Sequence, residues 1–296
     1  MEKGEKSNEI SKVILPVAGL GTRFLPLSKV VSKEFFPLVD KPVLHYVVEE
    51  IKKSGIKEII VVVRPRQKNI LNYIKKSTEL EKIMIARKKE SILRELKEVE
   101  EFFQDISFSF VTQKDPLGDG HAILQAAKLI KGETVGNCFG DDVFDSEVPA
   151  LAQLIEIYKT SRTPVIGLKR IPRERIVAYG SVEVEKIAHR LYKIKKIIEK
   201  PQPTEIMSDL ALVGRHILTP EVFDYLKNAT PSHKGEIILA EVLAKMLEDG
   251  RMIYGYEIKG EWLECGDKLK WLKSFFYLAL RDPRFGEELR RYLKTI

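Results

Sequence analysis

The chain has 296 residues, 44% of them hydrophobic and 31% charged, which is the balance of a folded globular protein. The length is enough for one large domain with a substantial core. No apolar run approaches the roughly 20 residues of a membrane-spanning helix, and the polar start at residues 1–12 lacks the apolar segment of a secretion signal. We therefore expect a cytoplasmic protein without a membrane partner.

The formal net charge of +7 favours anionic ligands in a general way. It does not indicate a nucleic-acid partner, because basic and acidic residues alternate at helical spacing, for example in residues 87–101. Cys138 and Cys265 lie far apart on apolar segments. A disulfide framework is therefore not supported, in keeping with a cytoplasmic location.

Residues 13–26 read V-I-L-P-V-A-G-L-G-T-R-F-L-P and begin with a β-branched run that predicts a strand buried on both faces. Gly19 and Gly21 allow a sharp turn and a close approach of backbone N–H groups to an anion. Thr22 and Arg23 add donors suited to phosphate oxygens. The loop matches neither G-x-G-x-x-G nor the Walker pattern, so it argues against an NAD-dependent dehydrogenase. By itself it is also compatible with an ordinary tight turn.

A second string, K-E-F-F-P-L-V-D-K-P, follows at residues 33–42. Together, A-G-L-G-T-R-F-L-P and K-E-x-x-P-L-V-D-K-P resemble the nucleotidyltransferases that make nucleoside diphosphate sugars. Leu20 points to the prokaryotic branch that joins UTP and glucose 1-phosphate into UDP-glucose and pyrophosphate. The resemblance implies a single α/β domain with a Rossmann-like, mixed but mostly parallel central sheet. It also implies an inserted small antiparallel sugar-binding sheet and C-terminal helices.

The next segments predict a right-handed βαβ unit, with a helix from Pro42 to Gly55 and a second buried strand, I-K-E-I-I-V-V-V. Residues 66–103 are predicted to be helical almost throughout and could form an arm over the site. The strand Ile106–Thr112 then leads into Q-K-D-P-L-G-D-G-H.

In that string, the Gln113 amide can pair with a base edge, and Gly118 would let the base lie against the backbone. The resemblance assigns both to the nucleobase, and the complete nucleotide-binding set becomes Ala18, Gly19, Gly21, Thr22, Gln113 and Gly118. His121 is better interpreted as a helix-start residue than as a base, because a phosphate nucleophile is already ionised.

A later strand ends in Gly140, Asp141 and Asp142. Carboxylates at a strand end suit Mg²⁺, which takes a few protein oxygens and completes its shell from water and phosphate. An Asx turn fits Asp145 better than Asp141. The resemblance makes Asp141 the metal ligand, with Asp142 as a neighbour facing the sugar.

Two strongly alternating segments follow and predict half-exposed antiparallel strands. They contain Tyr179-Gly180 and Glu199-Lys200-Pro201. Glu199 can accept hydrogen bonds from sugar hydroxyls, and Lys200 offers a compact cation for the sugar phosphate, although alone the two could be an exposed ion pair. The resemblance adds the remaining sugar-binding residues, Gly180, Val213 and Gly214.

The sequence departs from the family pattern in two places. Ile238 and Ala240 replace polar residues, and Glu241 replaces an aspartate. Before Cys-Gly, Glu264 stands where the family has the second metal carboxylate. Either Glu264 with its longer side chain or Asp267 could serve there.

Residues 268–296 predict two helices with an aromatic cluster typical of a core or a subunit interface, which makes a homodimer or homotetramer the expected assembly. The predicted organisation is a solvated tail, a nucleotidyltransferase domain with a nucleotide-binding and a sugar-binding part, and a helical appendage: residues 1–11, 12–267 (12–160 and 161–267) and 268–296.

The catalytic residues implied by this interpretation are three cations that neutralise two approaching anions, namely Arg23, Lys33 and Lys200. Two alternatives remain within the class: a transferase for dTTP, since uracil and thymine differ by one methyl group, or one for another sugar 1-phosphate. A third is a catalytically silent paralogue that binds a nucleotide sugar.

Overall fold

The computed structural model describes residues 10–232 and 235–296, so most of the expected N-terminal tail, residues 1–9, lies outside the described residues. The described strands are β1 Lys12–Pro16, β2 Pro37–Leu38, β3 Lys41–Pro42, β4 Glu58–Val63, β5 Ser107–Thr112, β6 Val135–Cys138, β7 Asp142–Asp145, β8 Val165–Arg170, β9 Gly180–Ala188, β10 Leu191–Glu199, β11 Leu210–Leu218, β12 Tyr254–Glu257 and β13 Glu261–Glu264. The described helices are α1 Val43–Lys53, α2 Asn69–Ile74, α3 Thr78–Ala86, α4 Glu90–Phe102, α5 Asp119–Gln125, α6 Ala127–Ile130, α7 Ala150–Ser161, α8 Pro220–Lys227, α9 Leu239–Glu248, α10 Lys268–Ala279 and α11 Gly286–Leu293.

Within these residues, nine strands form one mixed sheet in the order β5-β4-β1-β6-β11-β8-β12-β10-β9. The first four strands in this order are parallel, with Val13 paired to both Ile59 and Gly136. Strand β11 is antiparallel to both of its neighbours, β6 and β8. The α/β fold class is confirmed. The antiparallel pair β9–β10 continues the main sheet through β12, because Tyr192 of β10 pairs with Gly255 of β12.

The sheet is covered on both faces, as the apolar sequence of β1 predicts. Val13 and Leu15 pack into one buried cluster together with residues of α1 and α7, whereas Ile14 packs into a second cluster with residues of α5, α8 and α9. Neighbouring residues of a strand point to opposite faces. One short apolar strand therefore contributes to two cores. Its carboxyl end lies beside the carboxyl ends of its parallel neighbours β4 and β6.

The predicted arm consists of α2, α3 and α4. Just before α2, its base is tied to the glycine loop, because Arg64 donates to the Gly19 carbonyl at 3.0 Å and Gln67 donates to the Val17 carbonyl at 3.1 Å. Its other end is anchored in the core by Phe102, which stacks on His45 with ring centroids 4.3 Å apart. The arm is thus connected to the loop at its base.

The C-terminal helices are present as expected. Trp271 of α10 packs on Phe36 and donates to the Pro37 carbonyl at 3.0 Å, which ties α10 to the domain. On the outer side of the same helix, Leu272 and Phe276 are 41% and 46% exposed. None of the described helices is long and apolar enough to cross a membrane.

Candidate active site

Two adjoining cavities open at the carboxyl end of the parallel strands. One, of about 530 Å³, is lined by residues 18–22 and is called here the loop cavity. The other, of about 570 Å³, is lined by residues 212–214 of β11 and is called the β11 cavity. Asp119, Phe139 and Asp141 line both cavities, so ligands in the two spaces would meet at these residues.

The glycine loop turns directly after β1. Gly21 has a φ of +64°, a backbone conformation that favours glycine, and its carbonyl accepts from the Phe24 N–H at 2.9 Å. The structure places Ala18, Gly19, Gly21 and Thr22 on the wall of the loop cavity. Arg23 instead points to the β11 cavity, so the loop presents its backbone to one space and its guanidinium to the other.

The two residues predicted to hold the base lie together on the opposite wall of the loop cavity. Gln113 is 5% exposed and donates to the Gly118 carbonyl at 3.0 Å. Gly118 has a φ of +95°, and a Cβ there would lie 2.4 Å from the Ile237 carbonyl oxygen, so only glycine fits. His121 is held between the side chains of Gln113 and Gln125, as expected for a packing residue.

Asp141, at the end of β6, forms an ion pair with Lys33. Burial alone would raise the pKa of this carboxyl, but Lys33 holds the pKa of Asp141 below its usual value. Asp142 behaves in the opposite way, since burial and the charge of Asp141 raise its pKa to about 6. Asp141 therefore offers, at the junction of the cavities, a carboxylate that stays ionised to lower pH than its neighbour Asp142.

The Asp142 carboxylate is held by protein groups on both oxygens. One oxygen accepts from the Gly214 N–H at 2.8 Å and the other from Trp262 Nε1 at 2.9 Å. A Cβ on Gly214 would lie 2.4 Å from Asp142 Oδ2, which explains the need for glycine at that position. Asp142 lines the β11 cavity as expected, but its oxygens have structural partners.

A fully buried ion pair lies behind this strand end. Arg215 is 0% exposed and makes two hydrogen bonds of 2.8 Å to Glu50 of α1. The same guanidinium donates to the carbonyls of Asp142 at 2.7 Å, Gly214 at 2.8 Å and Phe139 at 3.3 Å. Arg215 thereby fixes the backbone on either side of Asp141 and leaves the Asp141 side chain free of that task.

The residues predicted for the sugar side all line the β11 cavity, namely Gly180, Glu199, Lys200, Val213 and Gly214. Lys200 has an unusual φ of +47°, and its ammonium lies 3.2 Å from Glu199 Oε1.

Glu264, the predicted second metal carboxylate, lies at the wall of the β11 cavity with three partners. It pairs with Arg175 at 2.6 Å and with Lys270 at 2.9 Å, and it accepts from the Tyr179 hydroxyl. Asp267, the alternative ligand, caps α10 by accepting from the Lys270 N–H at 3.0 Å. Both carboxylates are thus used by neighbouring protein groups.

The donor set fits a metal that is bound jointly with substrate phosphates. Asp141 is ionised and lines both cavities, and Mg²⁺ is commonly held by one or two carboxylates with phosphate and water completing its shell. Within residues 10–232 and 235–296, no group of three His, Cys, Asp or Glu side chains could hold a metal without a substrate. Glu264 would have to leave its three partners to join Asp141.

Several residues of the site were not assigned from the sequence. Asp119 lines both cavities, and Arg175 and Lys270 hold Glu264. Asp119 stands within the quoted string L-G-D-G-H, whereas Arg175 and Lys270 lie in segments whose pattern indicates only exposed charge. The contact of Arg175 with Glu264 joins segments 89 residues apart and carries no local signal, whereas Lys270 is close to Glu264 in sequence but stands in a charged stretch that does not distinguish it.

A phosphate-type loop after β1, an acidic end on β6 and two cavities meeting between them are the features of an enzyme that transfers a nucleotidyl group. The family model described as nucleotidyl transferase matches residues 12–276, and the chain belongs to this family. The resemblance seen in the sequence is therefore confirmed, and the chain is a nucleotidyltransferase.

Its similarities extend over nearly the whole chain. A UTP–glucose-1-phosphate uridylyltransferase of Staphylococcus haemolyticus is 36% identical over 289 residues, which cover 97% of this chain and 99% of that one. A solved structure of UTP-bound UGPase from Acinetobacter baumannii superposes with a TM-score of 0.87 at 32% identity, covering 96% of this chain and 99% of that one. A UDP-glucose pyrophosphorylase complexed with UDP-glucose gives 0.83 at 29% identity, covering 93% and 100%.

Proposed function

We propose that the chain forms UDP-glucose and pyrophosphate from UTP and glucose 1-phosphate. The observation that carries this proposal is the meeting of the two cavities at Asp141, which lets a nucleotide in one cavity and a sugar phosphate in the other react across a shared boundary. Relatives of the same length carry the names of enzymes for this reaction.

In the proposed reaction, a phosphate oxygen of glucose 1-phosphate attacks the α-phosphorus of UTP. A new P–O bond forms as the bond to the β-phosphate breaks, and pyrophosphate leaves in line. The nucleophile is already ionised, so no general base is required. Because two anions must approach each other, the main task of the protein is to place positive charge beside them.

Three cations of this chain take that task. Lys33 at the wall of the loop cavity neutralises the departing pyrophosphate, with the Gly19 and Gly21 amides orienting it, and Arg23 adds positive charge from the wall of the β11 cavity. Lys200 lies in the β11 cavity and positions the sugar phosphate. Lys33 forms an ion pair with Asp141 and lines the loop cavity together with the glycine loop. The same lysine therefore lies between the loop and the acidic end of β6.

The loop cavity takes the nucleobase in this proposal. Gln113 pairs with the base edge, and Gly118 and Ala18 allow the ring to lie close to the backbone. Uracil and thymine differ by one methyl group, which is worth only about 1–3 kcal/mol of discrimination. Use of dTTP beside UTP is therefore a second outcome that the experiment below must separate.

The β11 cavity takes the glucose, with Gly180, Val213 and Gly214 against the ring and Glu199 accepting from hydroxyl groups. A Cβ on Gly180 would lie 2.3 Å from Leu212 Cδ1, so any larger residue there would displace the Leu212 side chain, which lines the same cavity. Glu199 Oε1 lies 3.2 Å from the Lys200 ammonium, and the carboxylate can also accept hydrogen bonds from neutral hydroxyls.

Members of this family generally use a divalent metal, and we propose Mg²⁺ held by Asp141. When bound, such an ion neutralises charge on the nucleotide phosphates. A ligand role for Glu264 stays a prediction, because its carboxylate is paired with Arg175, Lys270 and Tyr179.

We also propose a homodimer or homotetramer formed through the C-terminal helices. Leu269, Leu272 and Phe276 expose apolar surface on α10, and Phe285 and Tyr292 extend it towards the C-terminus. Light scattering coupled to size-exclusion chromatography would measure the mass, and a mass of about one chain would contradict an oligomer.

The activity is tested by pyrophosphate release with Mg²⁺ across nucleoside triphosphates and sugar 1-phosphates. We expect a maximum for UTP with glucose 1-phosphate. A maximum for dTTP or for another sugar would keep the mechanism and change the substrates. Folded protein that binds nucleotide but releases no pyrophosphate in any combination would instead indicate a silent nucleotide-sugar-binding paralogue.

A further inference from the structure

We propose that Asp119 is a further substrate-binding residue, whose carboxylate accepts a hydrogen bond from one hydroxyl of the hexose in the β11 cavity. This inference rests on the proposed function and extends it to a residue that the sequence motifs leave unassigned. It concerns the sugar and not the nucleotide. The same residue would then contribute to the choice among sugar 1-phosphates.

One oxygen of Asp119 is fixed by the backbone. Its Oδ1 accepts from the Gly120 N–H at 2.6 Å and from the Leu239 N–H at 2.9 Å, the latter at the first residue of α9. These two bonds determine the orientation of the whole carboxylate. Oδ2 has no hydrogen-bond partner among the residues that the structure describes.

Asp119 stands at the boundary of the sugar space, with Oδ2 as the oxygen that the backbone bonds leave open. Asp119 is half-buried and lines both cavities. Glu199 and Lys200, both proposed to act on the sugar phosphate substrate, are close enough to act electrostatically on the Asp119 carboxyl. Leu239, whose N–H holds Oδ1, also lines the β11 cavity.

The Asp119 carboxylate is suited to bind a hydroxyl group. A carboxylate accepts hydrogen bonds and repels the phosphates that the neighbouring cations attract. Burial raises the pKa of Asp119 to about 6, so the carboxyl is still mostly ionised at neutral pH. A partly desolvated carboxylate with one open oxygen gains from a hydroxyl donor and is penalised when the donor is missing. Such a site discriminates strongly against the deoxy analogue of the sugar.

The test compares the wild-type enzyme with Asp119→Asn. Asparagine keeps one carbonyl oxygen for the Gly120 and Leu239 N–H groups and places an NH₂ group where Oδ2 was. Steady-state kinetics use UTP with glucose 1-phosphate and with its 2-, 3-, 4- and 6-deoxy analogues. The matched control is Asp115→Asn, which changes an exposed aspartate four residues away in the same segment.

We expect Asp119→Asn to lower kcat/KM for glucose 1-phosphate by about 10- to 100-fold, the loss for one hydrogen bond to a charged group. The KM for UTP should stay within about threefold, a separation that a general structural defect would not give. One deoxy analogue should lose much less activity in the variant than the others do, because its missing hydroxyl is the partner of Asp119. Asp115→Asn should behave as the wild type.

Three results would overturn the proposal. The first is an unchanged kcat/KM for glucose 1-phosphate in Asp119→Asn, and the second is an equal loss with all four deoxy analogues. The third is a loss that disappears with 2′-deoxy-UTP, which would assign Asp119 to the ribose. A wild-type enzyme without turnover of glucose 1-phosphate would overturn the proposed function as well, whereas an active wild type with an unaffected variant would remove only the role of Asp119.

Discussion

Two acidic strand ends face the β11 cavity, and they are supported in different ways. Asp141 follows β6, and the described contacts of its side chain are with Lys33. Glu264 ends β13, and its carboxylate is bound by Arg175, Lys270 and Tyr179. The two ends are neighbours, because Glu264 pairs with Asp142 across the short sheet of β13 and β7.

The two strand ends differ in which atoms hold them in place. Around Asp141, the backbone carbonyls of Phe139 and Asp142 are fixed by Arg215, so the side chain between them is available to a ligand. At Glu264, the carboxylate itself joins the turn containing Arg175 to α10. A carboxylate at a strand end is therefore a candidate metal ligand only when other groups hold the strand end in place.

The greatest loss is expected when the groups that hold the strand end beside Asp141 are removed. Arg215→Met would leave Glu50 buried without its cation, which costs about 3–5 kcal/mol. Urea denaturation should show the free energy of unfolding falling by that amount. The double variant with Glu50→Leu removes both charges and should recover at least half of the loss. A single variant within about 1 kcal/mol of the wild type would show that the pair is not needed.

The next effect concerns the ligand carboxylate. Asp141→Asn keeps the shape but removes the charge proposed to hold the metal, and we expect kcat/KM to fall by about 10²- to 10³-fold. The Mg²⁺ concentration for half-maximal rate should rise as well. Asp145→Asn, at the exposed end of β7, is the control and should leave both quantities unchanged. Normal Mg²⁺ dependence in Asp141→Asn would contradict the proposed ligand.

Glu264→Gln tests the role of the second carboxylate. The amide keeps a hydrogen-bonding group beside Tyr179 but loses the charge between Arg175 and Lys270, so we expect the free energy of unfolding to fall by about 1–2 kcal/mol. The Mg²⁺ requirement should not change, and kcat/KM should fall by less than about tenfold. A rise in the Mg²⁺ requirement like that of Asp141→Asn would make Glu264 the second ligand that the family resemblance implies.

Much of the fold could be predicted because its signals are local. The apolar run of β1 predicts a strand covered on both faces, and the helical spacing of residues 66–103 predicts an almost continuously helical stretch, where the structure has the three helices α2, α3 and α4. The positions of β9 and β10 in the main sheet were less accessible to prediction. Alternation indicates half-exposed strands but does not say which strand they pair with.

In the site too, residues in local motifs could be predicted from the sequence, whereas contacts between distant segments could not. Gly21 and Gly118 could be located from the sequence, because each adopts a positive φ that favours glycine and each stands in a short motif. The resemblance also groups Glu199 with Lys200, and both line one cavity. The contacts of Arg175 and Tyr179 with Glu264 and the buried pair of Arg215 could not be predicted, since they join segments that are far apart in sequence.

The smallest change is expected in how stability varies with pH, and it tests the link between the two strand ends. Trp262 of β13 donates to Asp142 Oδ1 at 2.9 Å, and this bond is stronger when the carboxyl is ionised. Trp262→Phe should therefore cost about 1.5 kcal/mol of unfolding free energy at pH 8 beyond the lost ring area. Denaturation at pH 5 and pH 8 would separate the two contributions.

The direction in which stability changes with pH follows from the pKa of Asp142, which is raised to about 6 from the ordinary value of 3.8. The stability contributed by its neutral form is fully present below about pH 4 and is lost as the pH rises through about 6. Without the Trp262 donor, the pKa rises further and the loss at pH 8 becomes larger, while at pH 5 the variant differs less from the wild type. Trp271→Phe is the matched control, because its Nε1 donates to the uncharged Pro37 carbonyl and its loss should be the same at both pH values. A pH-independent loss in Trp262→Phe would show that the charge of Asp142 is not coupled to β13.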